Sequence, residues 1–238
     1  MNIFLVKNLF DYEEVIPPPS NLTNMITVYI TDSDHNVELA KSFGWNIVKK
    51  TDKFLNLTEK FERRIAIGYI NSYPHKIVPE ILDYDFVFVC DSNIKSIWLE
   101  YETFINSCSS DKALFITSGS YKSNEDTITL ELDRSLTSLR WSYNHNNILE
   151  CTNRYKSELT DNNIDPDSLS VVSAKYIGWN LKHEKYEFLS DILYNEICKN
   201  LQGNIILTYM SGLYKDYIYN YYTNNYQGGI INSHKFDA

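Results

Sequence analysis

The sequence predicts an α/β protein in which one mixed, mostly parallel sheet is flanked by helices within a single domain. Three observations predict it. Strand-like and helix-like segments alternate through the first half, which is the pattern of parallel sheet units. The stretch "DFVFVC" (85–90) is apolar at every position from Phe86 to Cys90, as a strand covered on both faces reads. "YEFLSDILYNEICKN" (186–200) places Phe188, Leu189, Ile192, Leu193 and Ile197 on one side of a helix, the amphipathic pattern of a surface helix.

The elements follow in order. Residues 1–24 read as an N-terminal arm, because Pro17-Pro18-Pro19 favours extended backbone and forbids a helix. The remaining residues, 25–238, form the domain. "MITVYITDSD" predicts a strand over Ile26–Ile30 that opens into an acidic turn. "HNVELAKSFGW" predicts a short helix with Asp34 as N-cap and Gly44 as its stop, and "NIVKK" a second strand. Phe61, Ile65 and Tyr69 in "TEKFERRIAIGYINSY" have helical spacing, ended by Pro74. "SIWLEYETFINSC" returns to helical spacing, while "KALFITS" and "TITLEL" read as strands. Residues 134–165 are polar, with some helix. "LSVVSAKYIGWN" is a strand or a pair of strands, and "IILTYMSGLYKDYIYNYY" a further helix. An Asn- and Gly-rich tail from Thr223 ends in "NSHKFDA".

Composition narrows the function classes. Hydrophobic residues make up 43% and charged residues 22%, as in a soluble globular protein. A net charge of −9 argues against a nucleic-acid partner, since the phosphate backbone rewards excess Lys and Arg. The opening apolar run is too short for a signal peptide and nothing approaches the roughly 20 apolar residues of a membrane span, so a cytoplasmic location is expected. The widely spaced Cys90, Cys108, Cys151 and Cys198 form no CxxC and read mostly as core thiols, with disulfides left open. Abundant Asn, Ile, Lys and Tyr point to an AT-rich coding genome, of which large DNA viruses are one source.

No Walker loop, GxGxxG or HExxH occurs. What stands out is "CDSN" (90–93), where a buried strand ends in Asp91, Ser92 and Asn93. Ligands gather at the carboxyl ends of strands in open α/β sheets. In extended geometry Asp91 and Asn93 would point to the same side, offering two oxygens to a hard divalent cation that also takes phosphate. An ordinary strand-ending turn is the alternative.

The order of motifs resembles the GT-A-fold glycosyltransferases. "YITD" (29–32), "GW" (44–45), "RR" (63–64), "PH" (74–75) and "CDSN" (90–93) follow one another as in members with a DxD- or DxN-type strand end. The resemblance spans about nine-tenths of the chain. It implies a Rossmann-like GT-A sheet, a nucleotide-sugar donor (a UDP-sugar), a glycan or other hydroxyl acceptor, and Mn²⁺ or Mg²⁺. It also implies Thr31, Asp32 and Arg64 near the donor, Asp91, Ser92 and Asn93 at the diphosphate, and Asp91, Asn93 and His234 on the metal. Gly178 and Trp179 are implied on the acceptor side, and Gln202 and Asn204 at a segment that often reads Gln-Asp-Gln. Asn93 is neutral where many members carry Asp, and Gly203 removes a carboxylate.

Other residues keep two readings. Arg63 and Arg64 are adjacent, one facing a ligand and one solvent. His75 suits a structural hydrogen bond. Glu150 and Asp191 are available as a general base, or lie on a helix surface. The rival functions are a non-catalytic sugar-nucleotide or glycan-binding module, favoured by Asn93 and Gly203, and a sugar nucleotidyltransferase, disfavoured because "TDSDHN" is acidic and lacks glycine.

Overall fold

Ile3, Phe4, Leu5 and Val6 are all sealed from solvent, and this apolar run forms the first strand, β1 (Asn2–Asn8). The computed structural model describes residues 2–10, 14–18, 24–54, 57, 59–91, 104–118, 127–137, 145–199 and 202–222. Further strands are β2 (Met25–Thr31), β3 (Ile47–Lys50), β4 (Val87–Asp91), β5 (Leu114–Ser118), β6 (Val172–Trp179) and β7 (Ile218–Tyr222). They make one seven-stranded sheet in the order β3-β2-β1-β4-β6-β5-β7. β1 is parallel to both β2 and β4, β2 to β3, and β5 to β7. β6 alone among the described strands runs against its neighbours.

The helices are α1 (Asp34–Ser42), α2 (Lys60–Ser72), α3 (Ile128–Thr137), α4 (His145–Asp161), α5 (Tyr186–Cys198) and α6 (Gly203–Leu213). Strand alternation sorts the core into two layers. Ile3, Leu5, Val87 and Val89 pack with Ala66 and Ile70 of α2, Leu189 and Leu193 of α5, and Ile205 and Ile206 of α6. Phe4, Val6, Phe88 and Cys90 pack on the opposite face with Ala40 of α1, Trp45, Phe104 and Ile105. The central strands are covered on both faces, which is why they read as unbroken apolar runs. Cys90, Cys108, Cys151 and Cys198 are free thiols.

Several expectations are corrected. Residues 2–8 are not an arm: they supply the strand between β2 and β4. The residues that behave as an extended brace are 14–18, where the Ile16 carbonyl accepts the indole N–H of Trp45 at 2.8 Å. "TITLEL" is the start of helix α3, because Ile128 and Leu132, one turn apart, both enter the core. The helix expected over 205–222 stops at Leu213, and the chain returns as β7 beside β5. Phe188 is 49% exposed; the buried side of α5 runs instead through Tyr186, Leu189, Ser190, Leu193 and Glu196. Ser33, not Asp34, caps α1, its Oγ accepting the Asn36 N–H at 3.4 Å. Gly44, at φ 89°, follows the end of α1, as the left-handed conformation after a helix requires. Most of the helix expected over 96–108 lies outside the described residues, within which 104–106 form a helical turn.

Candidate functional site

The parallel strands β3, β2, β1 and β4 all end at one edge of the sheet. The register sets Asn8 beside Thr31 and Lys7 beside Asp91. Three of these residues are buried polar groups: Lys7 (5% exposed), Asn8 and Thr31. Polar side chains at a buried strand end must find partners. The Asn8 amide donates to the Tyr29 hydroxyl at 2.8 Å, and Thr31 Oγ1 accepts the Ser33 N–H at 3.2 Å.

Asp32 has a structural duty at this edge. Each of its carboxylate oxygens lies 3.0 Å from the Phe10 nitrogen and accepts its N–H. Phe10 sits at φ 65°, an uncommon conformation for a residue with a large side chain. The guanidinium of Arg63 lies 5.2 Å from the Phe10 ring centre, within cation–π range, and its Nε donates to the Leu57 carbonyl at 3.1 Å. The start of α2 therefore lies at this edge, which brings the half-buried Arg64 into the same neighbourhood. Lys50, at the end of β3, donates to Asp34 at 2.8 Å and lies 3.5 Å from Asp52. The Asp34 hydrogen bond leads in holding its ammonium above the ordinary lysine pKa.

β6 completes the edge from the other side. It pairs antiparallel with β4, Cys90 opposite Tyr176, so its residues before Tyr176 reach the level of the β4 end. On its β5 side the register jumps from Ile116↔Ile177 to Thr117↔Ser173, leaving Ala174 to Tyr176 as a bulge. Bulges of this kind end pairing and re-aim side chains near ligand sites. The Ala174 N–H donates to Asn204 Oδ1 at 2.9 Å, which ties the first turn of α6 to the bulge. A side chain at Gly203 would bring its Cβ within 2.9 Å of the Ala174 Cβ, so glycine lets α6 approach β6 this closely.

The expected site residues divide between two edges. Thr31, Asp32, Arg64, Asp91, Gln202 and Asn204 belong to the edge just described; of Asp91 only the strand position is described. Gly178, Trp179 and Asp191 belong to the opposite edge, which corrects their assignment to an acceptor or catalytic role. Trp179 pairs with Val87 at the start of β4, roughly 13 Å of strand from Asp91 at about 3.3 Å per residue. It is 0% exposed, and its indole N–H donates to the Asn71 carbonyl at 2.6 Å; a sugar cannot stack on it. Gly178 is a core residue, since a Cβ there would meet the Phe88 ring at 2.8 Å. Asp191 accepts a hydrogen bond from Tyr73, just past the end of α2. His75 shares that edge, 2.8 Å from the Tyr186 hydroxyl, and burial, then Lys76, lower its pKa. Ser92, Asn93 and His234 lie outside the described residues.

Sequence reasoning missed Lys7, Asn8 and Phe10, which follow from recognising β1, and Glu131. Two polar residues ending the apolar run Ile3–Val6 were the available signal.

No family model and no curated protein matches the chain. Among solved structures it is similar to the apo structure of the bifunctional glycosyltransferase WbbM, with a TM-score of 0.50 and 14% identity over 90% of this chain. The chain covers 37% of that one, little more than a third of its length. Mouse xyloside xylosyltransferase 1 gives a TM-score of 0.45 and 9% identity over 92% of this chain and 83% of that one. The mannosyltransferase Ktr4p from S. cerevisiae gives 0.46 and 12%, over 92% and 68%. The likeness to WbbM is one of fold: a mostly parallel seven-stranded sheet flanked by helices, of the GT-A type.

Proposed function

We propose, on the premise of this GT-A fold, that the chain is a glycosyltransferase moving a sugar from a nucleoside-diphosphate donor, a UDP-sugar, to an acceptor hydroxyl of a glycan or other molecule. The observation that carries the reading is the convergence of the β1, β2 and β4 ends, the β6 bulge and the start of α6 at one edge. A fold alone does not fix an activity; a built polar edge at the carboxyl ends of the strands is where one belongs.

In this reading Asn8 and the Thr31–Asp32 turn form the floor beneath the nucleoside, and Arg64 attracts the donor's phosphates. Asp91, Asn93 and His234 would hold Mn²⁺ or Mg²⁺, whose chemistry is to neutralise charge on the departing diphosphate. The donor set suits such an ion, since carboxylate and amide oxygens with phosphate and water form its usual shell. Among the described residues no group of three His, Cys, Asp or Glu could hold a metal ion. The β6 bulge and α6 start then face the acceptor. Among the described residues no helix is long and apolar enough to cross a membrane; a cytoplasmic location is part of the proposal.

The test is a thermal-shift titration of nucleotides with and without Mn²⁺, on the native chain and on Asp91→Ala. We expect one nucleoside diphosphate to raise the melting temperature only with metal, and Asp91→Ala to abolish the rise. No shift at millimolar nucleotide would sink the reading. A non-catalytic binding module is the second reading, favoured by Gly203, where a carboxylate-bearing side chain would collide with Ala174. That reading requires nucleotide binding with no consumption of any sugar donor, hydrolysis included.

A further inference from the structure

Glu131 lies in α3, between the core residues Ile128 and Leu132, and is itself 2% exposed. Burying a carboxylate is costly unless the interior uses its oxygens. Oε1 accepts from the Asn204 side-chain amide at 3.3 Å, and Arg134, one turn on, stands 3.8 Å from Oε2. The opposite end of the same Asn204 amide accepts the Ala174 N–H at 2.9 Å. An amide has one donor end and one acceptor end. Turned over, it would set its oxygen against the carboxylate and its NH₂ against the Ala174 N–H. Glu131 thus fixes which way Asn204 points, and Asn204 fixes the bulged backbone of β6. A second tie runs alongside: Thr208 Oγ1 accepts the Val172 N–H at 2.9 Å and donates to the Asn204 carbonyl at 2.7 Å.

We propose that Glu131 is a positioning residue of the transferase site. Through Asn204 it holds the β6 bulge and the first turn of α6 where the acceptor meets the donor. The role rests on the glycosyltransferase reading. Glu131 is sealed from solvent, so it touches neither substrate and acts through Asn204.

The experiment compares the native chain with Glu131→Gln and Glu131→Leu. Gln keeps a carbonyl oxygen for the Asn204 amide, and Leu removes it. Two quantities are read: the exchange rate of the Ala174 N–H by NMR, and kcat and KM for UDP release from a panel of UDP-sugars with Mn²⁺. Glu131→Gln should stay within about twofold of the native chain in both. Glu131→Leu should speed Ala174 exchange about tenfold or more and lower kcat by about tenfold or more, with KM for the donor little changed. Unchanged Ala174 exchange in the Leu variant overturns the proposal. So does a Gln variant as impaired as the Leu variant, or faster exchange with unaltered kcat. Should the Leu variant fail to fold, Asn204→Ala breaks the same link from its other end. If the native chain consumes no donor, the transferase reading fails, whereas native-like exchange at Ala174 in the Leu variant would refute the link itself.

Discussion

At the scale of single residues, the edge is held by specific pairings. The Asp32 carboxylate accepts the Phe10 N–H and so stabilises a left-handed backbone at the exit of β1. Asp32→Ala should cost about 1–3 kcal/mol in urea unfolding, the penalty for a polar group left without its partner, with an unchanged m-value. Gly178→Ala should cost about 1–3 kcal/mol, because a methyl group there meets the Phe88 ring at 2.8 Å and the Phe115 Cβ at 3.1 Å. The end of β4 at Asp91 was legible because a polar residue ending an apolar run marks a strand end. Trp179 kept two readings in the sequence, a ring that stacks on a sugar and one that fills a core, because the two are spelled identically. The pairing with Val87, the full burial of the ring and the bond to Asn71 separate them. Glu131 was invisible for a related reason: in "TITLEL", read as a strand, a lone charged residue passes for one on the solvent face, and nothing local signals that Asn204 waits for it.

At the scale of elements, α4 and α5 are joined by one carboxylate. Glu196 accepts hydrogen bonds from Arg154 and Lys199, each at 2.7 Å, and from the Tyr155 hydroxyl. Burial pushes the Glu196 carboxyl up, but the bonds from Lys199, Tyr155 and Arg154 together leave it below its ordinary value of 4.5. A carboxylate whose folded pKa is depressed contributes stability that is present above 4.5 and lost as pH falls through the folded value. Glu196→Gln should therefore lower stability by about 1–2 kcal/mol near neutral pH, the exposed Arg and Lys partners being screened, and flatten the acid limb of a Tm-against-pH curve. An unaltered limb would assign that limb to other carboxylates. Among the elements, β2, β3, β4, β5, α1, α2 and α5 were readable from periodicity. "TITLEL" was not, since Thr and Ile favour strands locally while burial of Ile128 and Leu132 one turn apart imposes a helix. "YIYNYY" was read as helix because the turn at Tyr214–Tyr217 carries neither Gly nor Pro.

At the scale of the whole molecule, the parallel half of the sheet brings nucleotide-side candidates to one edge, and the reversed strand β6 brings α6 to it. The alternation of strands and helices was enough to predict this class. The strand order was not, because β1 is separated from its second neighbour β4 by β2, α1, β3 and α2, and no local pattern encodes that pairing. Deleting residues 1–8 should abolish cooperative unfolding, since it removes the strand to which both β2 and β4 are bonded; a cooperative thermal transition in the truncated chain would refute the central placement.

That placement also sets a timetable. β1 leaves the ribosome long before one of its two partners, β4, which begins only at Val87. Until then β1 and β2 pair along one side only, and a strand with the apolar run Ile3–Val6 presents an open edge to the cell. Such an edge invites pairing with other chains. Closing it demands a contact across some eighty residues, the kind of long-range step that slows folding. Yield on expression should therefore respond to temperature and chaperone supply more than the finished fold's stability would suggest.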